Sequence, residues 1–172
     1  MSNDEPLRQR TFTWADPLLG FKESRHMSGL AYMQAIRDGL IPPPPIAELR
    51  GMTIAEVEVG RVVFTLEPHE YHYNPGGLVH GGVAATLCDS AMACALQTML
   101  AQGMMYTTLE LHVNYVRGMT TKTGLVRCTG EVIHQGRQMA TAQSRLIDEQ
   151  GRLYSHATTT CLIFPIPPDK NS

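Results

Sequence analysis

The stretch His80-Gly81-Gly82-Val83-Ala84-Ala85-Thr86-Leu87-Cys88-Asp89-Ser90-Ala91-Met92-Ala93-Cys94-Ala95-Leu96 decides how the rest of the chain is read. From Val83 to about Ala101 it reads as a helix whose apolar residues run nearly all round, Met99 and Leu100 included. A helix apolar on every side is a buried helix, covered by other elements. It carries one carboxylate, Asp89, with Ala85, Met92, Ala93 and Leu96 as neighbours on its face. A carboxylate in that setting is costly unless it is paired or used. The helix opens on Gly81 and Gly82, behind a Gly/Pro/Asn-rich connection that starts at His69. The first N–H groups of a helix have no partner inside it, and bare glycines let a ligand come close to them. Such an end suits an oxyanion or a polarised carbonyl.

Outward from this helix, the flanks read as strands. Met52 to Glu67 alternates (Ile54, Val57 and Val59, then Val62, Phe64 and Leu66) around a Gly60 turn, which is a β-hairpin pattern. Four strand-like runs follow: Tyr106–Arg117, Leu125–Gln135, Gln138–Asp148 and Leu153–Phe164. Gln135-Gly136-Arg137 and Asp148-Glu149-Gln150-Gly151-Arg152 read as hairpin turns. The expected plan is α+β: a hairpin, a buried helix, then an antiparallel meander, as one sheet wrapped around one central helix. Residues 1–45 read as an N-terminal extension with little periodicity before about residue 25. A short helix then runs from a Ser28 N-cap to Gly39, with Leu30, Met33 and Ile36 as its apolar stripe. Pro42 to Pro45 form an extended spacer, the core domain spans 46–164, and 165–172 is a tail.

Composition narrows the class. Of 172 residues 43% are hydrophobic and only 17% charged, with a formal net charge of −2. The usual charged share is about 25%. A broad basic surface for nucleic acid and an acidic disordered tail are both excluded. With so little charge, either much of the surface is neutral polar or part of it is covered by another subunit. No stretch offers the roughly 20 mostly apolar residues of a membrane span. Cys88, Cys94, Cys128 and Cys161 form no CxxC pair, and Met1 to Arg10 is polar and charged. A soluble, reduced, cytoplasmic protein without nucleic-acid or membrane partners is expected.

Other chemistries are weaker. His69-x-x-His72 with His80 lacks a fixed helical pair and a cysteine, and HExxH is absent, so no metal site is expected. Ser90 and Ser144 have no GxSxG context. His112 and His134 fall in strand patterns.

The combination Asn74-x-x-Gly77-x-Val79-His80-Gly81-Gly82, then Asp89, then Thr108-x-Glu110-Leu111 at a strand start, resembles the PaaI-like branch of the hotdog-fold acyl-CoA thioesterases. The resemblance spans roughly residues 46–164 and includes Gly136-Arg137 and Asp148-x-x-Gly151. It implies hydrolysis of an acyl-CoA without metal or redox cofactor, coenzyme A being part of the substrate. By the resemblance, the Gly81 N–H polarises the thioester carbonyl, and Asp89 acts as general base or nucleophile. Asn74 and His80 position the thioester. Thr108 orients water, with Thr107, one residue away, as the alternative. Gly82 and Met92 are expected beside the substrate, Met92 as a pliable wall near Asp89. Arg117, Lys122 and Arg137 are candidates for the coenzyme A phosphates, ordinary solvated turn charges being the alternative. Other readings are a non-catalytic acyl-CoA-binding or regulatory domain and an acyl-CoA hydratase or dehydratase of the same fold.

Distance bears on the assembly. Gly81 and Asp89 lie eight residues apart, about 12 Å along a helix. An oxyanion donor sits about 3 Å from its target, and a base within hydrogen-bond reach of its water. One helix does not easily bring both to one carbon. Two antiparallel copies would, which predicts a homodimer, alone or as a dimer of dimers.

Overall fold

The structure is a computed structural model describing residues 6–167. Its centre is α4 (Gly81–Gln97), laid across one face of a six-stranded antiparallel sheet. The strands are β1 (Met52–Glu58), β2 (Arg61–Leu66), β3 (Met104–Tyr115), β4 (Val126–Gln135), β5 (Met139–Asp148) and β6 (Leu153–Pro165). This is the hotdog arrangement that the sequence predicts. Inward residues of the middle strands (Val62, Phe64, Leu66, Cys128, Leu146) meet Leu87, Ala91 and Met92 of α4 in one core. The helix comes so close to β4 that a Cβ on Gly130 would lie 2.2 Å from the backbone carbon of Ala91. The β1–β2 turn falls at Gly60, which takes φ +74°.

Two expectations need correction. The spatial order is β1-β2-β4-β5-β6-β3, so only β4, β5 and β6 form a meander, and β3 pairs with β6 at the far edge. The connection from Val116 to Leu125 explains this: hairpin loops take about 2–5 residues, and this one is long enough to cross from edge to middle. Nor is α4 enclosed all round. Gly82, Ala85, Thr86, Asp89 and Ser90 are only half-buried.

The extension is more structured than the sequence suggests. α1 (Pro17–Ser24) starts where Asp16 Oδ1 accepts from the Leu18 N–H at 2.9 Å, and it buries no residue, hence its missing periodicity. α2 (Gly29–Arg37) follows Ser28, whose Oγ accepts from the Ala31 N–H at 3.3 Å. The proline spacer ends by starting a helix, α3 (Pro45–Arg50). Proline suits a first helical position, where its missing N–H would have no partner. These elements are fastened to the sheet and to α4. The Gly29 N–H donates to Leu100 O at 3.0 Å, and a Cβ on Gly29 would sit 1.6 Å from Gln97 O, so only glycine fits. The Arg10 guanidinium donates to the Leu49 and Glu48 carbonyls. His72 donates from Nε2 to Arg50 O at 3.0 Å, while its Nδ1 accepts from the His69 N–H at 3.1 Å. Both ring nitrogens of His72 thus hold backbone, and burial lowers its pKa.

Candidate active site

Helix α4 carries Asp89, half-buried, whose Oδ1 accepts a hydrogen bond from Thr108 Oγ1 at 3.0 Å. Strand alternation produces this pairing. Tyr106 and Thr108 of β3 lie more buried, whereas Thr107 between them is exposed, and a bulge follows at Thr108/Glu110. Thr108, and not Thr107, is brought to Asp89. Near the carboxylate, burial pushes the Cys94 thiol up to about 12, with the Asp89 charge adding to the shift. Burial also raises the Tyr106 phenol well above its usual range. Both groups stay neutral beside Asp89.

The other end of α4 forms a second cluster. His80 is the N-cap, and its Nδ1 accepts from the Gly82 N–H at 2.9 Å. The cap has thus taken the Gly82 N–H, so Gly82 is not an open donor. Among the described residues nothing accepts from the Gly81 N–H, which stays available. A Cβ on Gly81 would meet the Tyr115 ring at 3.2 Å, so glycine lets that ring close over the helix end. A cleft of about 280 Å³ lies here, lined by Asn74, Gly81, Tyr115 and Arg117 among others. Asn74 Oδ1 accepts from the Gly76 and Leu78 N–H groups at 2.9 and 3.3 Å, so its amide shapes the loop that walls the cleft.

Three further candidates lie outside these two clusters. Met92 is fully buried in the core under α4, on the side that faces Gly130, so it does not line a surface beside Asp89. The helical turn that exposes Asp89 directs the residue three positions on toward the sheet. Arg137 belongs to the β4–β5 turn, the end of the sheet near Gly60, whose N–H donates to Thr98 Oγ1 just after α4. That is the end of the helix opposite Gly81. Lys122 is exposed in the β3–β4 connection. Within one chain the structure thus holds two separate candidate clusters, Asp89 with Thr108 and Gly81 with Asn74, Tyr115 and Arg117. Sequence reasoning missed Tyr106 and Tyr115. The alternation that selects Thr108 also selects Tyr106, whereas the packing of Tyr115 on Gly81 leaves no local signal.

Residues 76–155 match the family model described as Thioesterase superfamily. A 1,4-dihydroxy-2-naphthoyl-CoA hydrolase of Listeria monocytogenes is 30% identical over 108 residues, covering 63% of this chain and 86% of that protein. The proofreading thioesterase EntH of Klebsiella pneumoniae is 28% identical over 102 residues, covering 59% and 73% respectively. The PaaI protein from the phenylacetic acid degradation operon of Escherichia coli shares the fold. It has a TM-score of 0.68 at 20% identity, over 81% of this chain and 96% of that one. Fold, family match and relatives agree that this chain belongs to the thioesterase superfamily and is a hydrolase with the hotdog fold.

Proposed function

We propose that the protein hydrolyses acyl-CoA thioesters to a free acid and coenzyme A, in a site that two copies of the chain complete together. The observation that carries this reading is the Asp89–Thr108 hydrogen bond at a half-buried position of α4. It orients a carboxylate where a water can reach it. In the proposed reaction Asp89 takes a proton from that water as its oxygen attacks the thioester carbon. The Gly81 N–H, aided by the helix dipole, stabilises the oxyanion. Collapse breaks the C–S bond, and the leaving thiolate takes up a proton, giving acid and thiol. A catalytic carboxylate and an oxyanion donor eight residues apart on one straight helix need a second chain.

Strand β3 supports that geometry. It is an edge strand of 12 residues, with Thr108 against Asp89 and Tyr115 against Gly81. A two-fold relating β3 to its copy would set the Gly81 end of one chain opposite the Asp89 end of the other. Exposed Leu109, Tyr115 and Val116 lie on or beside this edge and would be covered. Coenzyme A as the thiol is favoured by the naphthoyl-CoA hydrolase relative and by Arg117 on the cleft wall, a cation for a phosphate. The test is thiol release from aliphatic and aryl acyl-CoAs by the native protein and by Asp89→Asn. Turnover that Asp89→Asn leaves intact would overturn the mechanism.

A further inference from the structure

A further cavity belongs to neither half-site. It has a volume of about 400 Å³ and lies between the N-terminal extension, β1 and α4. Met33 and Ile36 of α2 and Ile46 of α3 line one side, and Met52, Ile54 and Phe64 of the β1–β2 hairpin line another. Its floor is α4 itself, through Ser90, Cys94 and Gln97. Ser90 is the residue next to Asp89, and Tyr106, two positions before Thr108 on β3, closes the same floor. The cavity therefore adjoins the Asp89–Thr108 pair along both α4 and β3.

We propose that this cavity receives the acyl group of the thioester, so that α2 and α3 of the extension select the substrate as an uncharged, apolar acyl group larger than acetyl. This rests on the proposed hydrolysis at Asp89. Three observations carry it. The volume lies in the range of small-molecule sites, and the walls are mostly hydrocarbon. Two titratable groups of the floor, Cys94 and Tyr106, are held neutral by burial, which suits an uncharged ligand and penalises a second carboxylate. The outer wall is fixed in place: Gly29 is pressed on Gln97 at one end, and the carbonyls of α3 are gripped by Arg10 and His72 at the other. A wall so fastened can discriminate by size.

The test compares kcat/KM for octanoyl-CoA and acetyl-CoA in the full chain. Ile36→Trp, at a half-buried wall position, fills the cavity, and Ile46→Trp fills it from α3. Leu40→Trp, at an exposed position outside the cavity, is the control. The native protein should favour octanoyl-CoA, and at least one filling variant that keeps the native circular dichroism should lower the octanoyl-to-acetyl ratio tenfold or more. The control should keep the native ratio. Unchanged ratios in folded filling variants, or an equal loss in the control, would overturn the proposal. Calorimetric binding of octanoyl-dethia-CoA, in which CH2 replaces the thioester sulfur, separates the two readings. Absence of all turnover sinks the hydrolysis reading, while the pocket still stands or falls on whether Ile36→Trp or Ile46→Trp weakens that analogue at least tenfold.

Discussion

At the scale of single residues, Asp89 and Thr108 are held by one hydrogen bond of 3.0 Å, and their roles separate by substitution. Asp89→Asn keeps size and can still accept from Thr108, so thermal stability should stay near native while kcat falls about 10²–10⁴-fold. Thr108→Val keeps shape and removes the hydroxyl, and steady-state kinetics should show a loss of about tenfold. If Thr108→Val is silent while Thr107→Val is damaging, the assignment of the hydroxyl is reversed. Part of this site was legible beforehand. Asp89 stands out as a carboxylate in an apolar helix and Gly81 as the bare start of that helix, both readable from local chemistry. Met92 and Gly82 were not readable, since their fates depend on which side of α4 meets Gly130 and on the His80 ring capping the next turn. Those are tertiary and rotameric facts that spacing does not encode.

At the scale of elements, the β5–β6 turn is organised by Asp148, whose buried carboxylate accepts from the Gln150 and Arg152 N–H groups and from the Tyr154 hydroxyl, and pairs with the Arg152 guanidinium. Burial alone would raise its pKa, yet the Arg152 backbone N–H and guanidinium and the Tyr154 hydroxyl hold it at about 2, below the ordinary 3.8. A lowered folded-state pKa gives stability that is complete above the unfolded value and is lost as pH falls through the folded one. Denaturant unfolding should therefore show Asp148→Asn less stable than native at pH 7, with the gap closing between about pH 4 and pH 2. A gap that stays constant over that window would contradict this account of the turn. Where α4 crosses β4, Gly130→Ala would force a Cβ to within 2.2 Å of the Ala91 backbone, and Tm should drop by roughly 5–10 °C. Strands and hairpins of this kind were legible because alternation and turn residues are local. The position of β3 was not, since alternation names a strand's faces and never its neighbour. α1 and α3 escaped notice because one buries nothing and the other hides behind four prolines.

At the scale of the whole molecule, the low charge of the chain and the separation of its half-sites point to the same proposed surface. Only 17% of residues are charged, and the long edge strand β3 exposes Leu109, Tyr115 and, just beyond it, Val116. A second copy against that edge would bury them and bring Gly81 of one chain to Asp89 of the other. Complementation between two inactive variants tests this most directly. Asp89→Asn removes the base. Gly81→Pro removes the N–H at a position where proline suits the first turn, after a His80 backbone (φ −59°, ψ 135°) that already fits a following proline. Each variant alone should be inactive. Mixed in equal amounts with subunit exchange verified by mass, they form half heterodimers with one intact site each, and activity should return to about a quarter of native. No recovery despite verified exchange would show that each site is built within a single chain and would contradict the account.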